Sequence, residues 1–299
     1  MRTKNRLMKK LFAALLLSIT LMVSAQTNAN RFFYELTFKP GLEVDSLHKE
    51  MTILDITDKK SLYRAYLSVS QDSILKVQIE EMQKSGTFKD LSKTIKQPKF
   101  SYKVFKSYPS MDITFQDQIL QDQVSYEEKI TFDWKISPDK TKIGEYETQK
   151  ATTSFGGRQW TAWFTESIPF PDGPYKFHGL PGLIVKIEDA DKHFSWELKG
   201  NKQVSNFEEE SYSEKLQKQF GGRGNALKVS RDKFEQLYAA YRKDPFGSIR
   251  SHLAQIPADA KMPDGTSISK MMKDQEEMLK KWLNENNNPI EISQPKGKK

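Results

Sequence analysis

Residues 183–199 read LIVKIEDADKHFSWELK, and this stretch decides the fold. Two short runs rich in Leu, Ile, Val, Phe and Trp, 183–188 and 194–199, flank the polar residues 189–192. Apolar runs of strand length around a polar turn predict a β-hairpin. Working outward, the same signature recurs. Upstream, 158–167 alternates Trp160, Ala162 and Phe164 against Trp163, the period of a strand. Residues 32–38, 51–57, 61–67, 99–107, 111–120 and 124–136 are further strand candidates. Turns are predicted at 58–60, 109–110, 121–123 and 138–140. Downstream, 202–208 adds one more strand. Among these runs only 73–84 has helical spacing, and Gly86 is its predicted stop.

The last third differs. Ser230 is a predicted cap for a helix through Phe234, Leu237, Tyr238 and Tyr241, which Pro245 ends. Thr266 or Ser267 caps a second helix with Ile268, Met271, Met272, Met278, Leu279, Trp282 and Leu283 on one face. Strands at short spacing followed by late helices predict an α+β fold. The expected sheet is predominantly antiparallel and curved, half-barrel or sandwich-like, with a few flanking helices. The expected division is a β domain over 26–208, a flexible linker over 209–229 and a helical segment over 230–292. A disordered basic tail over 293–299 completes it.

The first ten residues hold Arg2, Lys4, Arg6, Lys9 and Lys10 and no acid, and an apolar run over 11–23 follows. With Ser24 and Ala25 next, this is the layout of a secretory signal peptide, cleaved after Ala25. The apolar run is too short to span a bilayer stably, so no transmembrane segment is expected in the mature chain. The chain is expected to be exported, to the periplasm or beyond. The whole sequence has 47 Lys plus Arg against 39 Asp plus Glu. The leader carries five of those cations, leaving 42 against 39. A mixed-charge surface of this kind is not a nucleic-acid footprint. Cysteine is absent, which excludes thiol nucleophiles, thiolate metal sites and disulfides.

Residues 142–200 carry a denser pattern: Lys150-Ala151, Gly157-Arg158, Trp160-Thr-Ala-Trp163, Ile168-Pro169, Gly173-Pro174 and the hexapeptide Gly179-Leu180-Pro181-Gly182-Leu183-Ile184. The chain closes on Asn288-Pro289-Ile290-Glu291. In these features it closely resembles the GLPGLI family, named for the hexapeptide. That resemblance implies a signal peptide and an origin in Bacteroidota. It implies no agreed activity. Many members carry a cysteine near the position of Thr148, so a redox or metal role resting on that cysteine does not carry over.

Physically, Pro169, Pro171 and Pro174 exclude regular structure, and Gly173, Gly179 and Gly182 permit tight corners. Two readings stand: a rigid corner packed by Leu180, Leu183 and Ile184, or a loop that grips a ligand. Arg158, Trp160, Trp163, Tyr175 and Phe177 are the candidate ligand-binding residues. On a strand, Trp160 and Trp163 face opposite sides, so one of them packs in a core while the other lines a groove or a second core. No catalytic set stands out. His48, His178, His193 and His252 lack metal-ligand spacing, and Glu188, Asp189, Asp191 and His193 read as a solvated turn. Gly221-Gly222-Arg223-Gly224 lacks the Lys-Ser/Thr of a phosphate loop. No cofactor or metal is expected. The expected partner is an apolar small molecule or peptide, or an envelope protein.

Overall fold

The computed structural model describes residues 27–87, 91, 96, 98–119, 122–219, 226–262 and 265–292. The expected leader, the Gly221–Gly224 run and the basic tail lie outside the described residues. Twelve strands form one open sheet: β1 (Ala29–Phe38), β2 (His48–Ile56), β3 (Lys60–Ala65), β4 (Lys103–Ser107), β5 (Asp112–Ile119), β6 (Asp122–Glu128), β7 (Lys135–Ile143), β8 (Tyr146–Phe155), β9 (Arg158–Thr165), β10 (Leu183–Asp189), β11 (Phe194–Val204) and β12 (Leu227–Lys228). Their order is β12-β6-β5-β4-β3-β2-β1-β11-β10-β9-β8-β7, antiparallel except for the β12–β6 pair. Helices are few and mostly late: α1 (Leu67–Ser70), α2 (Asp72–Ser85), α3 (Tyr212–Gln219), α4 (Arg231–Lys243), α5 (Arg250–Leu253) and α6 (Ile268–Glu285). The fold is α+β with a curved sheet.

The connection from β6 to β7 shows how strongly the sheet curls. These strands stand ten positions apart in the sheet, a distance of about 48 Å if the sheet were flat. The six residues 129–134 join them, and such a segment reaches at most about 24 Å. The sheet must therefore roll until its two ends approach each other. This corrects the expectation of a single strand over 124–136. The chain leaves β6, second from one edge, at Glu128, crosses the gap and starts the opposite edge at Lys135. Phe132 and Trp134 cover the opening, with the Trp134 indole donating to the His178 carbonyl at 2.8 Å. The Pro138-Asp139-Lys140 run is likewise no turn. It is a bulge within edge strand β7, where proline removes no ladder bond.

The rolled sheet encloses a core built from alternate residues. Phe32, Tyr34, Leu36 and Phe38 of β1 share the concave face with Leu54, Tyr63, Val104, Phe115, Tyr126, Trp160, Phe164 and Trp196. The space between them is filled by the 17-residue connection from β9 to β10, residues 166–182. Tyr175, Phe177 and Leu180 of this plug are buried against the sheet. The Phe177 ring lies 4.8 Å from Trp160 and 6.2 Å from Trp196. Gly182 lets the chain turn back into β10, since a Cβ there would sit 2.1 Å from the Thr165 carbonyl oxygen at φ +151°.

A loop inside a sheet must satisfy its own backbone polar groups. Lys106, on the concave face of β4, supplies the donors. Its ammonium donates to the carbonyls of Gly173 at 2.7 Å and Tyr175 at 3.0 Å and pairs with Asp172 at 2.5 Å. Both side chains are 0% exposed. The Tyr108 hydroxyl and the Gly173 amide also donate to Asp172. Tyr175 holds a left-handed backbone, φ 54°, which costs about 1 kcal/mol for an L-residue and is offset by these contacts.

Outside this core, residues 209–229, expected as a flexible linker, contain α3 and β12. The Arg64 guanidinium fixes their approach by donating to the carbonyls of Glu208 and Glu209. No described helix is long and apolar enough to cross a membrane.

Replacing Lys106 by Met leaves Asp172 buried without its counter-ion inside the sheet. The expected loss is about 3–5 kcal/mol, read as a lower denaturant midpoint with an unchanged slope. An unchanged midpoint would remove Lys106 from the centre of this account.

Candidate functional site

α4 starts where Ser230 Oγ accepts from the Lys233 amide at 3.2 Å, and it lies over β5 and β6. Phe234 drives this packing, its ring 5.6 Å from Phe115 and 5.0 Å from Tyr126. Beyond α6, residues 286–292 return across the sheet as a strap. Between α4, the strap and the concave face is a cleft of about 870 Å³. Tyr102, Phe115, Tyr126 and Tyr175 line its floor, Phe234 and Tyr238 its helical wall, and Phe100 and Trp282 its mouth.

The strap is held by one arginine. All five N–H groups of Arg158 are placed: Nε on the Ile290 carbonyl, Nη1 on Asp189 and His193, Nη2 on Asn288 Oδ1 and the Pro289 carbonyl, all within 3.2 Å. Asn288 also bonds to the carbonyls of Lys39 and Pro40. Glu291 then meets the plug. It pairs with Lys176 at 2.5 Å and Arg231 at 2.7 Å, and accepts from the Tyr175 hydroxyl at 2.6 Å. Burial alone would raise the Glu291 pKa, but Lys176 and its other partners hold it below the ordinary carboxylate range. Burial likewise opposes the Lys176 charge, and Glu291, Tyr126 and Glu128 outweigh it.

The sequence candidates fall in different places. Tyr175 lines this cleft. Trp160 and Phe177 are core, 1% and 0% exposed. Trp163 lies on the opposite face of β9, half-buried, with the Lys150 ammonium 6.0 Å from its ring centre. Arg158 grips the chain's own strap. In the hexapeptide, Leu180, Leu183 and Ile184 pack in the core, and Gly179 adopts φ 91°. A Cβ at Gly173 would meet the Ile184 side chain at 2.7 Å, and the Pro174 carbonyl accepts from the Phe177 amide at 3.2 Å. Asp189, Asp191 and His193 bring ligand atoms within 4.8 Å of one another. Asp189 is already committed to Arg158 and the Phe194 amide. The Thr148 hydroxyl donates to the Thr141 carbonyl.

The family described as "Protein of unknown function (Porph_ging)" matches residues 155–186. That span holds Arg158, the plug and the start of β10. No curated protein matches the chain. Among solved structures, PNGF-II in its C2 crystal form is similar over 73% of this chain and 34% of its own, at 15% identity and a TM-score of 0.49. Its P21 form gives the same coverage and score at 14% identity. The chain thus spans about a third of the length of that protein.

Two carboxylates near the cleft escaped the sequence reading. Asp117 lines it directly. Glu50, 7% exposed, sits on the concave face opposite Leu36. Glu50 Oε1 accepts from the Lys99 amide at 3.0 Å, and Oε2 is buried without a partner. Burial raises the Glu50 carboxyl to about 7. The available signal was period: Glu50 is in phase with Leu54 of β2, and Asp117 with Ile113 and Phe115 of β5.

A carboxyl raised in the folded state binds a proton there that the unfolded chain releases. Stability from Glu50 is therefore lost as pH climbs from the unfolded value near 4.5 through about 7. Glu50→Gln is expected to match the wild type at pH 5 and to exceed it by about 2 kcal/mol at pH 8, checked by urea midpoints at both pH values. Parallel pH profiles would contradict this assignment.

Proposed function

We propose that this chain is an exported, non-enzymatic binding module that holds an apolar ligand in the aromatic cleft. The cleft itself carries the reading. Its volume of about 870 Å³ falls in the range of small-molecule sites, which are mostly apolar with a few oriented polar groups. The rings that line it come from separate parts of the chain: the sheet and the segment leading into β4, the plug, α4 and the end of α6. Export rests on the leader sequence.

The other polar clusters support a binding role over a chemical one. Lys106 and Asp172 are spent on each other and on the plug backbone. His178, beside them, is driven down to about 4, first by burial and then by Lys106, so it stays neutral at ordinary pH. A sheet-edge interaction role is the weaker alternative. Edge strand β7 carries Lys135, Lys140 and Lys142 together with Pro138, features that discourage edge pairing.

The test is native mass spectrometry of the protein purified from its own envelope fraction, before and after refolding. The expected result is an extra mass that refolding removes and that Ala239→Trp abolishes. Ala239 lines the cleft and is exposed, so the indole fills the cleft without entering the core. A clean unliganded mass in the native preparation would count against the reading, as would an adduct that survives Ala239→Trp.

A further inference from the structure

The cleft holds a charge that an apolar ligand would leave unanswered. β5 places Ile113, Phe115, Asp117 and Ile119 on one face. Ile113 and Phe115 are core, and Ile119 packs against it. A carboxylate therefore stands in an otherwise apolar file. Asp117 Oδ1 accepts from the Ser101 hydroxyl at 2.7 Å and the Gln118 amide at 2.8 Å. Among the described residues no cation pairs with it. The arginines that line the cleft are committed elsewhere: Arg231 to Glu128, Glu235 and Glu291, Arg242 to the carbonyls of Leu283 and Asn286. Burial lifts the Asp117 carboxyl to about 6, and its charge is felt by Tyr102, Tyr238 and Tyr241. Glu50 also acts on Tyr102, adding to the negative field at this end of the cleft.

The protein shows next door what such a setting accepts. The Lys176 ammonium lies 4.9 Å from the Phe115 ring centre, 5.2 Å from Tyr126 and 5.4 Å from Tyr175, with Glu128 and Glu291 as counter-ions. Aromatic faces and a carboxylate together hold a desolvated cation. The cleft shares Phe115, Tyr126 and Tyr175 with that cage and adds Asp117; its one lining lysine, Lys99, is exposed and acts on Glu50.

We propose that the ligand of the cleft is a small organic cation, its ammonium paired with Asp117 beside Tyr102 and Tyr238, its apolar body lying along Phe234 toward Trp282. This rests on the cleft being a binding site, so the experiment separates the two claims. Octyltrimethylammonium, octan-1-ol and octanoate are titrated into the full chain at pH 7.5 by calorimetry. The wild type is expected to bind the cation about 10-fold more tightly than the alcohol, and octanoate more weakly than either. Asp117→Asn keeps an oxygen for Ser101 and Gln118. It should erase the preference for the cation and leave the alcohol affinity unchanged. Glu235→Gln, which removes a carboxylate from the cleft rim, should leave the preference intact. Equal affinity for cation and alcohol in the wild type would overturn the cation assignment while sparing the apolar cleft. A preference that survives Asp117→Asn, or that Glu235→Gln removes, would overturn Asp117 as its seat. No binding of any of the three would overturn both claims.

Discussion

A buried ammonium with buried acceptors is the constraint around which this protein is arranged. The sheet rolls, and a rolled sheet of this width leaves an interior that side chains from its own face do not fill. Residues 166–182 fill it, but they bring backbone carbonyls into the buried interior. Lys106 answers two of those carbonyls and Asp172 at once. A charge so deep survives because it is paired and fully hydrogen-bonded. The Gly-Pro-rich composition of the plug follows from the same constraint. Proline removes donors that would otherwise need partners, and glycine allows the sharp returns.

The strap at residues 286–292 completes the arrangement from the other end of the chain. Arg158 and Glu291 are the two contact points, one gripping the strap's backbone and the other reaching the plug through Tyr175 and Lys176. Because the strap forms one wall of the aromatic cleft, the cleft exists only when the chain ends are assembled. Residues that look unrelated in sequence, Gly157-Arg158 and Asn288 to Glu291, are therefore parts of one structural device. Gly156 and Gly157 run against Glu291 and Ile292, with a Cβ at Gly156 meeting Glu291 at 2.9 Å.

Two carboxylates on the concave face, Glu50 and Asp117, stand apart from this arrangement. Lys176, Arg231, Glu128 and Glu291 neutralise one another, as do Lys106 and Asp172. Glu50 and Asp117 have backbone and hydroxyl donors, and among the described residues neither forms an ion pair, although the Lys99 charge acts on Glu50. Their raised carboxyls come from burial, so they mark where the fold carries an uncompensated polar group.

Much of the secondary structure was legible from local pattern. Period-two alternation located β1 and β9, and apolar runs around a polar turn located β10 and β11; Ser230, and Thr266 or Ser267, marked helix starts, and the side-chain caps fall on Ser230 and Ser267. Trp160 and Trp163 were bound to face opposite ways, because strand geometry alone dictates it. Alternation could not reveal that 124–136 runs from β6 to β7 at opposite ends of the sheet, since nothing local records a crossing of the sheet gap. Nor could it assign Arg158 to Asn288 and Ile290, about 130 residues away. An aromatic cluster in sequence signals buried surface, but only tertiary packing decides which rings fill the plug and which face a cleft. The local sequence determined an antiparallel sheet with late helices and a glycine- and proline-rich corner. The rolling of the sheet, a long-range closure set by strand twist and a short crossing segment, decided where that corner lies and what it leaves open.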